Sequence, residues 1–187
     1  MRRVVVYELM SVDGVAEEPG NWVFDVDDEV FTHLRQVIDR QDDVLLGRGT
    51  YDYWAGHWPT SDMEPFAGFI NRTPKHVFTS SPLTQPWSNS TAVHGPAEEH
   101  VAALRQGDGG DIGVHGSLTL ARSLLVAGLV DRFRLVVFPV INGATGRDRV
   151  FDGYPDVRLE LVDSRTFDGR LQLLDYAPTV LDHPPLS

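Results

Sequence analysis

Asp43-Val44-Leu45-Leu46-Gly47-Arg48-Gly49-Thr50-Tyr51 passes from a short, continuously apolar run into a helix start through a single glycine. A run of this kind reads as a strand buried on both faces, the sort found inside parallel sheets. The same alternation extends in both directions. Upstream, Val30, Phe31, Leu34, Val37 and Ile38 recur at helical spacing, with Asp25 or Asp27 available to cap the first turn. Before them, residues 2–9 hold the β-branched Val4-Val5-Val6-Tyr7, a first buried strand.

Downstream, residues 75–79, 91–94, 111–115 and 132–141 read as the third to sixth strands. A helix begins with Pro96 and runs to Arg105, stopped by Gly107; a second covers 118–127, capped by Ser117 and ended by Gly128. The aromatic stretch Tyr53, Trp54, Trp58, Phe66, Phe69 is expected to hold a short helix and loops. Segments 157–163 and 171–177 flank Asp168-Gly169, a strong hairpin signal. The expected fold is α/β: a mixed, mainly parallel sheet flanked by helices, with a C-terminal antiparallel hairpin. One domain is expected over residues 1–178, followed by a tail over 179–187.

Composition narrows the function. The absence of cysteine removes disulfides, zinc–thiolate sites, iron–sulfur clusters and cysteine nucleophiles. A net charge of −11 argues against a nucleic-acid partner, whose affinity comes largely from Lys and Arg on phosphates. No apolar run has the roughly 18 residues of a membrane helix, and the N-terminal stretch turns acidic too early for a secretory signal. A cytoplasmic protein without membrane partners is expected. Metal and hydrolase chemistry find little support, because the seven histidines are scattered and neither HExxH nor GxSxG occurs.

Ligands of open α/β sheets bind at the carboxyl ends of the strands, and three loops there suit an anion. Gly47-Arg48-Gly49-Thr50 offers a glycine turn, a guanidinium and a hydroxyl at a helix start. Thr79-Ser80-Ser81 offers three hydroxyls, and His115-Gly116-Ser117-Leu118 again runs from strand through glycine into helix. Singly, each has an ordinary structural explanation as a turn, cap or surface ion pair. Jointly, they point to a phosphorylated nucleotide. After the first strand, Ser11-Val12-Asp13-Gly14 places a carboxylate where it can orient a substrate or relay a proton, and Trp22 can stack on a flat ring. An Asp-Gly turn and a core tryptophan explain the same residues equally well.

In order along the chain, these loops resemble the dihydrofolate reductase-like superfamily, and within it the C-terminal reductase domain of riboflavin biosynthesis proteins. The resemblance runs over residues 2–177 and includes Gly128 to Leu135, Pro139-Val140-Ile141, and Gly143 to Gly146 leading to Phe151. It implies an NADPH cofactor and hydride transfer to a small heteroaromatic, pterin- or pyrimidine-like substrate. It also implies that Gly47, Arg48, Thr50 and Tyr51 lie along the cofactor's phosphates and Thr79, Ser80 and Ser81 near its adenosine end. Gly116, Ser117 and Leu118 would cradle the pyrophosphate. A carboxylate early in the first long helix is implied as well, a place for which Asp27, Asp28 and Glu29 compete. Asp13, Trp22 and Asp27 are the catalytic candidates.

The chain departs from the family pattern at Gly116-Ser117, where a Gly-Gly pair is usual, and it shows no extra basic cluster for a substrate phosphate. The zinc deaminase half of the bifunctional relatives needs cysteine ligands that are absent. A non-catalytic nucleotide- or ligand-binding protein fits the same loops. Relatives often form homodimers, and strands 132–141 and 157–163 are apolar enough to serve.

Overall fold

The computed structural model describes residues 1–16, 23, 26 and 28–184. The chain order is β1 (Val4–Ser11), α1 (Asp28–Ile38), β2 (Gln41–Gly47), α2 (Arg48–Ala55), α3 (Phe66–Arg72), β3 (Lys75–Phe78), β4 (Ser90–Val93) and α4 (Ala97–Leu104). It continues with β5 (Asp111–Val114), α5 (Leu118–Val126), β6 (Arg132–Phe138), β7 (Val157–Phe167) and β8 (Leu171–Val180). The eight strands form one sheet in the order β4-β3-β2-β5-β1-β6-β8-β7. Every pairing from β4 to β6 is parallel, and β8 joins β6 and β7 antiparallel.

The expected class of fold is therefore present, with differences at element ends. Pro96 precedes α4 instead of opening it, because its ψ of 128° is extended. β6 stops at Phe138, three residues early, since Pro139 has no N–H for the ladder. The hairpin is longer than expected. Its turn has positive φ at both Asp168 and Gly169, the geometry that matches the twist of paired strands. β8 runs to Val180, two residues past the expected domain end.

The apolar residues sort by face. Val4, Val6 and Met10 of β1 join Ile112 and Val114 of β5 beneath α4 and α5, around Val101, Leu120 and Leu124. Across the sheet, Val44, Leu46 and Val77 pack with Tyr51, Phe69 and Ile70 of α2 and α3. Val30 of α1 packs with Val136, Phe138, Leu171 and Leu173. α1 buries His33 beside Val30 and Val37, a position on the apolar face that the residue-type pattern passes over. Among the described residues no helix is long and apolar enough to cross a membrane.

Two features position the site. β1 pairs with β5 only over Val4–Val6 but with β6 over Val5–Ser11. The upper half of β1 thus stands clear of β5 and opens a crevice in mid-sheet. Of the span 132–141 expected to serve a dimer, β6 is covered on both edges by β1 and β8, while Ile141 beyond it is exposed. The edge strands of the sheet are β4 and β7, and on β7 Leu161 and Val162 are exposed.

Candidate functional site

The β2–α2 and β5–α5 corners meet at the carboxyl end of the sheet. Gly47 donates its N–H to the Gly116 carbonyl at 2.8 Å. A Cβ on Gly47 would stand 2.7 Å from Ser117 Oγ, and one on Gly116 would stand 2.8 Å from Thr50 Oγ1. Gly116 also has φ of +125°, a conformation side chains avoid. Contact this close is possible only because both corners are glycine.

The two helix starts differ. Ser117 caps α5, its hydroxyl accepting from the Leu120 N–H at 3.4 Å. α2 has no side-chain cap at all, so the first N–H groups of this eight-residue helix are left for another acceptor. Gly49 in its first turn is exposed, with open space where a side chain would be.

Arg48 joins the third loop to these two. Its Nη1 donates to Thr79 Oγ1 at 3.2 Å, Ser81 Oγ at 2.8 Å and the Pro82 carbonyl at 3.0 Å, while its Nε pairs with Asp52. Thr79 Oγ1 also accepts from the Ser81 N–H, and Ser80 is exposed at the tip. Thr79, Ser80, Ser81, Arg48, Thr50, Gly47, Gly116 and Ser117 therefore lie along one rim.

Two expected contacts fall elsewhere. Tyr51 is fully buried against Trp87, and its hydroxyl donates to the Gln85 carbonyl at 2.6 Å, so its side chain belongs to the core. The reason is helical phase: three residues beyond Arg48, Tyr51 has turned from the rim to the sheet. Leu118 packs its side chain on the core as well and brings only backbone to the rim.

His115 precedes the glycine corner. Its Nε2 meets Gln41 Oε1 at 2.7 Å, and Trp54, Phe66 and Phe69 surround its ring. Burial lowers its pKa to about 4, so the ring is neutral and offers an anion no charge. It braces the corner from behind.

Asp13 stands on the other side of β1. Its carboxylate accepts from Ser11 Oγ at 2.7 Å, the Asn142 N–H at 3.1 Å, the Gly143 N–H at 3.0 Å and Arg149 Nη1 at 3.1 Å. Arg149 also donates to the Asp13 carbonyl. The Ser11 hydroxyl, followed by these N–H donors, holds the carboxyl well below its usual range. Asp13 is thus a fixed anion tying the loop after β1 to the loop after β6, a poor proton relay but a firm positioning group. Trp22 and Asp27 lie outside the described residues.

Residue-type reasoning passed over Glu8. Its Oε1 is sealed from solvent without a partner, and burial raises its pKa to about 8. The signal was available: strand alternation places Glu8 on the same face as Val4, Val6 and Met10.

The rim has the donor set for a phosphate-bearing cofactor: an uncapped helix start, a second helix start pressed against it, a guanidinium and three hydroxyls. Comparison with known proteins agrees with this architecture. Residues 2–173 match the RibD C-terminal domain family. Uncharacterized protein YyaP of Bacillus subtilis (strain 168) is 25% identical over 182 residues, covering 94% of each chain. A crystal structure from Shewanella sp. PV-4, assigned to riboflavin biosynthesis, superposes with a TM-score of 0.76 at 18% identity, over 96% of this chain and 99% of that one. Dihydrofolate reductase from Enterococcus faecalis, complexed with NADP(H) and RAB-propyl, gives a TM-score of 0.59 at 13% identity, over 94% and 96%. The chain therefore belongs to the RibD C-terminal domain family and has the dihydrofolate reductase-like fold.

Proposed function

We propose that the protein is a cytoplasmic NADPH-dependent reductase acting on a small pterin- or pyrimidine-like ring. The observation that carries this reading is the pair of helix starts pressed together through Gly47 and Gly116, with Arg48 held beside Thr79 and Ser81. Free N–H groups at adjoining helix starts favour a pyrophosphate, and Arg48 is placed to meet a further phosphate on the ribose. When bound, such a cofactor supplies hydride chemistry, and the protein's task is to bind and orient.

In this reading the backbone of Gly49, Thr50, Ser117 and Leu118 receives the pyrophosphate, and the Thr79–Ser81 hydroxyls receive the adenosine end. Asp13 keeps the loops after β1 and β6 together at the mouth of the crevice. Trp22 and Asp27 are assigned to stacking and substrate orientation. A homodimer formed through the β7 edge, where Leu161 and Val162 are exposed, completes the proposal.

The direct test is a fluorescence titration with NADPH and NADH, watching the protein's four tryptophans. Micromolar binding with preference for NADPH is expected. No binding of either nucleotide would remove the cofactor assignment. Turnover assays with pterins and aminouracils then separate an enzyme from a binding protein, and sedimentation at micromolar concentration tests the dimer.

A further inference from the structure

β3 and β4 end together at the rim. Phe78 pairs with Val93 as the last residues of the two strands, and the Thr79 N–H donates to the Val93 carbonyl at 3.1 Å. The residue after Val93 is His94, exposed beside Thr79. Its Nδ1 lies 2.8 Å from the Thr79 carbonyl. A carbonyl carries no proton, so Nδ1 is the donor, and the ring is fixed as the tautomer that leaves Nε2 uncommitted. Beyond it the chain leaves at once. Gly95 turns with φ of +101° and open space where a side chain would be, and Pro96 leads into α4.

Thr79 is thus held from two sides. Arg48 Nη1 donates to its hydroxyl at 3.2 Å, and His94 donates to its carbonyl. Arg48 does not present a full positive charge there, because its Nε sits 2.7 Å from an Asp52 carboxylate oxygen. Its Nη1 is shared among Thr79, Ser81 and Pro82, which leaves Nη2 as the corner turned to no partner among the described residues. A phosphate monoester brings nearly two negative charges at neutral pH. One guanidinium already shared with a carboxylate does not balance them. Among the described residues hydrogen-bonded to Thr79, His94 is the other one able to carry positive charge.

We infer that His94 is a specificity residue of the cofactor site, its Nε2–H donating to the phosphate on the adenosine ribose and so separating NADPH from NADH. The inference rests on the reductase reading above and adds a second cationic ligand, on the β4 side of Thr79, to Arg48 on the α2 side. With Nδ1–H spent on the Thr79 carbonyl, a neutral ring offers Nε2 only as an acceptor, which a phosphate dianion cannot use. The dianion favours the charged ring, whose Nε2–H then gives a charge-assisted bond. The bond to Thr79 holds the ring in place before the nucleotide arrives, which lowers the ordering cost of the contact. NADH lacks the ribose phosphate and makes no demand on His94.

The test titrates NADPH and NADH into the wild type, His94→Ala and His94→Arg at pH 7 and constant ionic strength, followed by tryptophan fluorescence. His94→Ala is expected to weaken NADPH about tenfold, the size of a charge-assisted hydrogen bond. NADH should stay within about twofold, as for a surface substitution away from a contact. His94→Arg supplies a cation and a donor for the Thr79 carbonyl at the same position, and should keep the wild-type preference for NADPH. A structural role of the Thr79 contact would weaken both nucleotides alike, and so would a contact with the adenine base, which they share.

Equal weakening of the two nucleotides in His94→Ala, or no change in either, overturns the role of His94 and leaves the reductase reading standing. So does equal affinity for the two in the wild type, or a loss of preference in His94→Arg as large as in His94→Ala. Binding of neither nucleotide by the wild type overturns the reductase reading and this inference with it.

Discussion

Replacing Gly47 by alanine tests the contact on which the site depends. Gly47 has φ of −74° and ψ of 157°, extended backbone that alanine adopts freely, so the effect comes from contact alone. The new Cβ would lie 2.7 Å from Ser117 Oγ and 3.2 Å from Ser117 Cβ and N. Overpacking of this kind costs about 1–3 kcal/mol, and pushing Ser117 off the start of α5 removes a cap worth about 1 kcal/mol. A loss of roughly 2 kcal/mol is expected, or about 4–8 °C in Tm for a chain of this size. Ser117→Gly alone should cost only a few tenths of a kcal/mol, since glycine is tolerated at that position.

The double variant removes the atom that the new methyl strikes. It should recover at least about 1 kcal/mol relative to the sum of the singles, read from urea unfolding at pH 7.5. Additivity within about 0.5 kcal/mol would show that the two corners do not press on one another. The cradle would then lose its geometric basis.

Three further outcomes follow from the same structure. Glu8 keeps its proton in the folded state to about pH 8 but loses it near 4.5 when unfolded, so folding takes up a proton between those values. Its contribution to stability falls as pH rises through that window. Glu8→Gln should therefore gain about 2–3 kcal/mol on the wild type between pH 5.5 and 7.5, and parallel stability curves would refute the raised pKa. Arg134 and Asp175 form a buried pair at 2.9 Å between β6 and β8. Arg134→Met should cost about 3–5 kcal/mol, and Arg134→Met with Asp175→Leu should recover most of it; chemical denaturation decides. Arg48→Ala should weaken NADPH about tenfold more than NADH, the size of a charge-assisted hydrogen bond; equal weakening removes Arg48 from the extra phosphate.

Much of the fold was legible because it rests on local pattern. The apolar runs at Val44–Leu46 and Val4–Val6, the helical spacing of Val30 to Ile38, the Ser117 cap and the Asp168-Gly169 turn each encode their element within a few residues. The loops of the candidate site were legible for a related reason: a glycine and a hydroxyl between a strand and a helix make a recognisable anion-binding sequence. Tyr51 was misplaced because the stretch Arg48–Tyr51 was read as a unit, whereas the helix carries its fourth residue around to the core. Glu8 and His33 were passed over because a polar residue inside an apolar pattern looks like an exposed one until its neighbours are known.

The sequence alone determined the alternation of strand and helix, the antiparallel hairpin at the end, the loops suited to an anion and the absence of cysteine chemistry. These follow from side-chain period, turn stereochemistry and residue type, all local properties. Only the tertiary structure decided that the Gly47 and Gly116 corners touch, that Arg48 is held between Asp52 and the Thr79–Pro82 loop, and that Asp13 is spent on tying two loops together. It likewise decided that β6 is interior and that Glu8 Oε1 is buried without a partner. These facts depend on strand order and register, which join residues as far apart as Asp13 and Arg149 and which a local pattern does not encode.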